Sequence, residues 1–202
     1  MDNRFNLAQG IEIEDVSSVY ECYQSDGNNI MANISIEHYK NILLELCKNL
    51  TEPLFFFIEI PCDESKEESL RKTDSDPYHK DVYYLDNCNL KVILAIIKRY
   101  GDLLLGDGLV QFGFASHTSE DEIYVRKYKV LSIFAKQTSV YEKTLQSFNI
   151  DKRAEITTVW DVLSEDNEGE CTLIELNGET VYDIVENLKD AGIYFSHTAE
   201  DE

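Results

Sequence analysis

Two segments of the chain carry nearly the same row of polar residues, and the side chains in that row are of kinds that bind metal ions. Residues 116–122 and 196–202 read Ser-His-Thr-Ser-Glu-Asp-Glu and Ser-His-Thr-Ala-Glu-Asp-Glu, with six of seven positions identical. Imidazole and carboxylate groups are common ligands of zinc and manganese. His117 and His197 with their neighbouring carboxylates are therefore candidate ligands of a metal-dependent enzyme or module. No ungapped similarity extends upstream, so we favour two strands that end in similar polar segments.

A cysteine and a histidine offer a second chemistry, that of a thiolate nucleophile. Cys62 follows an apolar strand-like segment, and His79 lies across the polar stretch after it. A thiol next to an imidazole can be activated in this way. The five cysteines and four histidines form no Cys-x-x-Cys or His-x-x-x-His pattern, which zinc sites commonly use. We favour a structural role for Cys62.

Three further patterns are incomplete. Asp74 and Asp76 form an Asp-x-Asp pair, but no nucleotide-binding loop accompanies them. The acidic residues 165–170 lack the glycine position and the closing glutamate of an EF-hand. Residues 101–108 contain three glycines without the Lys-Ser/Thr of a P-loop. We therefore predict no catalytic residue, no bound metal and no cofactor.

The strongest signal is the charge of the last quarter of the chain. Residues 154–202 contain fourteen acidic residues and one basic residue, Lys189, and contribute −13 to a net charge of −21. Apolar and polar residues still alternate there, which is typical of a folded segment. A small domain needs a net charge of only about 2–8 for solubility. This excess of negative charge favours a basic partner, because the carboxylates repel one another and attract cationic groups.

Composition and charge exclude several classes of protein. Nucleic acids and anionic membranes are excluded as partners because no basic stripe is present. The sequence begins with polar residues that do not resemble a signal peptide, and its apolar runs are far shorter than a membrane span. Five scattered cysteines are typical of a reduced cytoplasmic protein.

The first half of the chain alternates helical and strand-like patterns. Ser35 can cap a helix whose apolar residues recur on one face up to Leu50, and residues 54–60 form an apolar strand. Residues 62–81 are polar and predict a mobile loop, and residues 81–85 resume a strand pattern. A strongly apolar helix is predicted from residue 90 to residue 100, ended by Gly101.

Shorter elements fill the second half. Strands are predicted over residues 110–115, 122–128, 129–135, 156–162, 171–176 and 193–195, and helices over residues 139–148 and 180–188. An acidic loop at 164–170 joins two of these strands. The elements lack a strict βαβ rhythm, so the sequence predicts one α+β domain over residues 1–202, with a mixed, mostly antiparallel sheet packed against about four helices.

In general character, a small, acidic α+β chain without catalytic motifs resembles the bacterial immunity proteins that neutralise toxins, many of them basic nucleases. This resemblance covers the whole chain and transfers no residues. It implies a stoichiometric binder that covers a basic partner. We place the contact in the acidic subregion 154–202, with these candidate residues: Trp160, Asp161, Glu165, Asp166, Glu168, Glu170 and Tyr182. A scaffold or regulatory domain, in which acidity serves solubility, is the remaining alternative.

Overall fold

The computed structural model of the protein describes residues 5–73 and 75–201, with eleven β-strands and six α-helices in that part of the chain. The strands are β1 (Ile11–Ile13), β2 (Cys22–Asp26), β3 (Asn29–Asn33), β4 (Leu54–Pro61), β5 (His79–Cys88), β6 (Gln111–Ser116), β7 (Glu122–Val125), β8 (Leu131–Phe134), β9 (Asp151–Lys152), β10 (Gly169–Cys171) and β11 (Tyr194–Glu200). The helices are α1 (Ile36–Cys47), α2 (Glu64–Leu70), α3 (Leu90–Gly106), α4 (Ser139–Ser147), α5 (Val159–Val162) and α6 (Val181–Asn187). Short 3-10 helices span Lys127–Lys129 and Lys189–Ala191.

Nine of these strands form one sheet in the order β11-β5-β4-β6-β7-β8-β3-β2-β9. Every neighbouring pair is antiparallel except β2 and β9, which are parallel. The remaining two strands, β1 and β10, form a separate antiparallel ribbon. The prediction of an α+β fold with a mixed, mostly antiparallel sheet in a single domain is confirmed.

The main core lies between one face of the sheet and the helices. Helix α3 contacts β4, β5, β6 and α1, while α4 and α6 complete the helical layer. Alternate residues of the central strands point into this core, among them Phe56 and Ile58 of β4 and Phe112 of β6. They pack against apolar residues of the helices such as Leu43 and Ile97. The alternation expected of a strand with one buried face therefore sets which side chains enter the core.

A second, smaller cluster lies outside the main core. Met31 of β3 packs against it from the sheet face opposite to Ile30, which is in the main core. The buried members of this second cluster are Phe5, Val19, Val130 and Val159. Ile13 of the ribbon and Trp160 of α5 pack against the same cluster. The N-terminal segment and residues 156–163 are thereby held together, although they are far apart in the sequence.

Helix α3 is longer than predicted. It continues through Gly101 and ends at Gly106, because Leu103, Leu104 and Leu105 beyond the glycine are buried in the main core. Gly101 itself packs closely, since an added Cβ would lie 3.2 Å from the Lys40 side chain. The burial of three leucines outweighs the cost of placing glycine inside a helix, which is about 1 kcal/mol relative to alanine.

Residues 156–162 do not form the predicted strand, because Trp160 lies in the short helix α5. The side chain of Asp161 accepts hydrogen bonds from the backbone N–H and the hydroxyl of Thr158, which caps the first turn. Of the predicted strand 171–176, only Cys171 lies in a strand, β10 (Gly169–Cys171). Local capping thus overrides the β-branched composition of this region.

Six helices replace the predicted four or so, and two elements are more regular than expected. The polar segment 62–81 contains α2 and the first residues of β5. The last strand extends to Glu200 instead of ending at residue 195, because it pairs with β5 along almost its whole length. The mobility predicted for residues 62–81 stays a prediction.

Candidate functional site

The ribbon formed by β1 and β10 is anchored to the end of α3 by backbone hydrogen bonds. The N–H of Gly10 donates to the carbonyl of Gly106 (2.8 Å), and the N–H of Gly108 donates to the carbonyl of Thr172 (3.0 Å). The N–H of Thr172 donates back to the carbonyl of Gly10 (2.8 Å). A Cβ built on Gly108 would lie 1.9 Å from the Gly10 carbonyl oxygen. Glycine at residue 108 therefore serves close backbone approach and not phosphate binding.

A buried aspartate organises the turn beneath the ribbon. Asp107 has no exposed surface, and one of its oxygens accepts from the N–H groups of Leu109 and Val110, each at 2.9 Å. Its other oxygen accepts from the N–H of Ile174 at 2.9 Å, which fixes the chain just after β10. Hydrogen bonds of this kind satisfy a carboxylate that would otherwise be costly to bury.

A buried lysine completes the support. The ammonium of Lys129 donates to the carbonyl of Val110 at 2.7 Å, and the residue has a positive φ of 59°. Burial lowers the pKa of Lys129 to about 8, and the negative charge of Asp107 opposes this fall. The pKa of Cys171 on β10 is raised, mainly by burial.

Above this support, β1 and β10 bring acidic side chains from both ends of the chain together. Glu12 and Glu170 are directly paired across the ribbon, and both are exposed. The adjoining grooves are lined by Glu14, Asp15, Glu168 and Asp166, among other residues. Like charges directly opposite each other on two strands are destabilising. We call this the acidic ribbon surface, and its members are Glu12, Glu14, Asp15, Glu165, Asp166, Glu168 and Glu170.

Asn167 fixes the position of the N-terminal segment against the turn at 164–168. Its side-chain oxygen accepts from the N–H of Asp15 at 2.9 Å, and its amide donates to the carbonyls of Asp15 (2.9 Å) and Val162 (2.8 Å). The turn itself is closed by backbone hydrogen bonds between Ser164 and Asn167. The backbones that carry these acidic side chains are therefore fixed relative to each other.

The carboxylates of the acidic ribbon surface have no cationic partner within residues 5–73 and 75–201. The ion pairs in that part of the chain involve other acids. Four of the predicted residues, Glu165, Asp166, Glu168 and Glu170, are exposed here. Glu12, Glu14 and Asp15 were not among the predicted contact residues, although residues 11–14 alternate apolar and acidic side chains as a strand does.

The other predicted contact residues have different roles or positions. Asp161 is exposed, but its carboxylate caps α5. The Trp160 indole N–H donates to the carbonyl of Lys127 at 3.1 Å, and its ring packs against the same cluster as Ile13 of the ribbon. Tyr182 is on α6, whose apolar residues belong to the main core. Trp160 therefore shares a cluster with Ile13 of the ribbon, whereas Tyr182 is exposed on α6 and belongs to neither hydrophobic cluster.

The two histidines of the near-repeat have different surroundings. His117 follows β6, and its Nε2 lies 3.2 Å from Oδ1 of Asp86. His197 is inside β11, where it pairs with Val82 of β5. The described residues contain no group of three or more His, Cys, Asp or Glu side chains suited to a metal ion. The described residues therefore offer no set of ligands for the metal-dependent alternative.

Cys62 and His79 do not form a nucleophilic pair. The thiol of Cys62 donates to Asp81 at 3.3 Å, and burial raises the pKa of Cys62 to about 12. The His79 ring lies 3.1 Å from Oε2 of Glu67. A thiolate nucleophile needs a lowered pKa. In the Asp-x-Asp pair, Asp76 accepts backbone hydrogen bonds from its own loop, while Asp74 lies outside the described residues.

Comparison with known proteins leaves the geometry as the basis for function. A scan against protein-family models, a search of curated proteins and a search of solved structures each find no match. Within residues 5–73 and 75–201, no helix has both the length and the apolar character that crossing a membrane requires.

Proposed function

We propose that this protein is a stoichiometric, immunity-type inhibitor that covers a basic partner protein with its acidic ribbon surface. One observation carries the proposal. Glu12 and Glu170 are held directly opposite each other on a ribbon without a cationic partner in the described chain. This arrangement costs free energy in the isolated protein, and a bound cation relieves that cost.

Such a surface suits a partner that binds phosphates. Carboxylates at fixed positions would occupy the basic groups that otherwise hold a nucleic-acid backbone. Long-range attraction would speed the encounter, and pairing of individual charges would fix the orientation of the complex. Trp160, packed against the same cluster as Ile13, would provide a rigid aromatic border.

The same reasoning defines the remaining properties that we propose. The protein acts by binding and not by catalysis, and neither nucleic acid nor a membrane is its partner, since both are anionic. A reducing compartment such as the cytoplasm suits its five free cysteines. The basic partner is a toxin, such as a nuclease, whose positive active site the acidic ribbon surface would cover.

The test combines a variant pair with a capture experiment. The neutralised variant Glu12→Gln/Glu170→Gln and the wild type serve as baits for extracts of the native host, and captured proteins are eluted with salt. We expect a basic partner that the wild type retains at low salt and the variant loses. The association rate with that partner should fall about tenfold or more between ~0.05 and ~0.5 M salt, because screening shortens the reach of charge.

A matched control separates this surface from general acidity. Asp26→Asn/Asp190→Asn removes the same charge from two other exposed positions and should retain the partner. The neutralised ribbon variant should also be more stable than the wild type by about 0.2–1 kcal/mol in urea unfolding, because the like-charge pair is removed. Equal loss of binding in both variants, or an affinity insensitive to salt, would contradict the proposal.

A further inference from the structure

The sheet face opposite the helices carries a row of aromatic side chains. Phe55 and Phe57 of β4 alternate with Phe56, which points into the main core. Cross-strand register places Tyr84 of β5 and Gly113 of β6 beside Phe57. Tyr124 pairs with Gly113, and Tyr194 of β11 pairs with Tyr84. We call Phe55, Phe57, Tyr84, Tyr124 and Tyr194 the aromatic face.

These rings form a continuous surface. Ring centroids are 6.3 Å apart for Tyr194 and Tyr84, 6.1 Å for Tyr84 and Phe57, and 5.1 Å for Phe57 and Tyr124. Phe55 lies 5.9 Å from Tyr84. The Phe57 ring covers Gly113, where an added Cβ would come within 2.3 Å of it. Offset and edge-on contacts at these distances are favourable for aromatic pairs.

No other layer covers the aromatic face in the described structure. Phe57 is buried, yet it belongs to neither hydrophobic cluster, so its neighbours on the same face shield it. Tyr194 is 47% exposed, and Phe55 and Tyr84 are partly exposed. Exposed apolar surface bordered by polar residues is characteristic of sites that bind a protein partner.

Three carboxylates lie among the rings. Asp86 accepts the hydroxyl of Tyr194 at 2.6 Å, and Glu59 accepts the hydroxyl of Tyr124 at 2.7 Å. Glu59 also pairs with Lys80 at 2.8 Å. Glu122, by contrast, has no side-chain hydrogen bond or ion pair with any described residue, and burial raises its pKa. Among the described residues, Glu122 is therefore the acid on this face that makes no direct contact with a donor, and the charge of Arg126 acts on it only through space.

Arg126 shows how this region already holds a guanidinium group. Its Cζ lies 5.7 Å from the ring centroid of Tyr124 and 5.0 Å from that of Trp160. Its positive charge also acts on Glu122. A planar cation over aromatic rings and close to a carboxylate is the pattern that favours arginine over lysine.

We propose that the aromatic face binds arginine side chains of a basic protein segment, with guanidinium groups stacked on Tyr84 and Tyr194 at the β5–β11 end of the face and a further arginine paired with Glu122 at its β7 end. The chemistry of the face selects this occupant. A second copy of the chain, with its net charge of −21, would be repelled. The proposal goes beyond the acidic ribbon surface, because it uses different residues and discriminates between two cations of equal charge.

The test measures that discrimination directly. Hexa-arginine and hexa-lysine peptides are titrated into the full-length protein at one ionic strength, and binding is followed by the fluorescence of Trp160, the single tryptophan. We expect hexa-arginine to bind more tightly than hexa-lysine, by about two- to fivefold for each aromatic ring on which a guanidinium group stacks. Glu122→Gln and Tyr84→Leu should each bring the two affinities closer together.

The ribbon variant keeps this test separate from the proposed function. Glu12→Gln/Glu170→Gln should weaken both peptides equally and leave their affinity ratio unchanged. Backbone amide shifts caused by hexa-arginine should cluster on β4, β5 and β7, a readout that needs no substitution. Equal affinities for the two peptides in the wild type, or shifts confined to the ribbon or the helices, would overturn the proposal. Self-association of the protein through this face would overturn it as well.

Discussion

Lys129 allows a quantitative test of the support beneath the ribbon. Its ammonium is buried and donates to one backbone carbonyl, that of Val110. The substitution Lys129→Met keeps much of the length of the side chain and removes its charge. We expect the effect of this substitution on the free energy of unfolding to depend strongly on pH.

The magnitude follows from the pKa of Lys129. Burial lowers it from the ordinary value of 10.5 to about 8. A difference of this size corresponds to about 3 kcal/mol, because each pKa unit is worth roughly 1.4 kcal/mol. The charged form therefore opposes folding by about that amount below pH 8, where both the folded and the unfolded chain are protonated.

The direction of the effect is fixed by proton binding. Between pH 8 and pH 10.5 the unfolded chain keeps the proton on Lys129 while the folded chain releases it. Stability rises with pH wherever the unfolded state binds more protons. From pH 7 to pH 9.5 the wild type should gain about 2 kcal/mol relative to Lys129→Met.

Urea unfolding of both proteins at several pH values measures this difference. Other groups that titrate in the range, such as the tyrosines and cysteines, are common to both proteins and largely cancel. Lys98→Met is the matched control, because Lys98 is exposed and makes no ion pair in the described chain. A difference between wild type and Lys129→Met that stays constant from pH 7 to pH 9.5 would refute the reasoning.

Two further predictions concern buried groups. Asp107→Asn should lower the free energy of unfolding by about 3 kcal/mol, because an amide group replaces one of the oxygens that accept backbone N–H groups. Urea unfolding measures the loss, with Asp26→Asn as the exposed control. A loss below ~0.5 kcal/mol would contradict this role of Asp107. Cys62 should react with iodoacetamide at neutral pH roughly 100-fold or more slowly in the folded protein than in denaturant, since its pKa is raised to about 12. Mass spectrometry of the Cys62 peptide measures the rate, and equally fast modification in both states would restore the nucleophile hypothesis.

The sequence predicted the elements whose information is local. The apolar spacing after Ser35 became α1, and the run from Leu54 became β4. Asn89 caps α3, its side chain accepting from the N–H of Val92. Such elements are specified by periodicity and capping residues within about a dozen positions.

Elements that depend on distant contacts were predicted less well. Gly101 marks a helix end by local rules, but tertiary burial of the leucines after it extends α3. Thr158 and Asp161 do carry a local capping signal, yet the β-branched residues around them favoured a strand. In these places, packing or a single side-chain hydrogen bond decided between two plausible local structures.

The candidate site shows the same division. The acidic turn at 164–168 was visible in the sequence because its charges are contiguous. The pairing of Glu170 with Glu12 was not visible, since nothing local links residue 12 to residue 170. The apolar run over residues 54–60 likewise indicated a strand, but not which strands would flank it.

The pairing of β1 with β10 also determines when the site can exist during synthesis. Its two strands span residues 11–13 and 169–171, so the ribbon cannot close until residue 171 has left the ribosome. The final strand, β11, covers the edge of β5 only after that. Contacts between distant residues form late, because the loop between them must first be ordered. Newly made chains should therefore form the ribbon only after residue 171 has been made, and chains terminated before residue 169 should lack it.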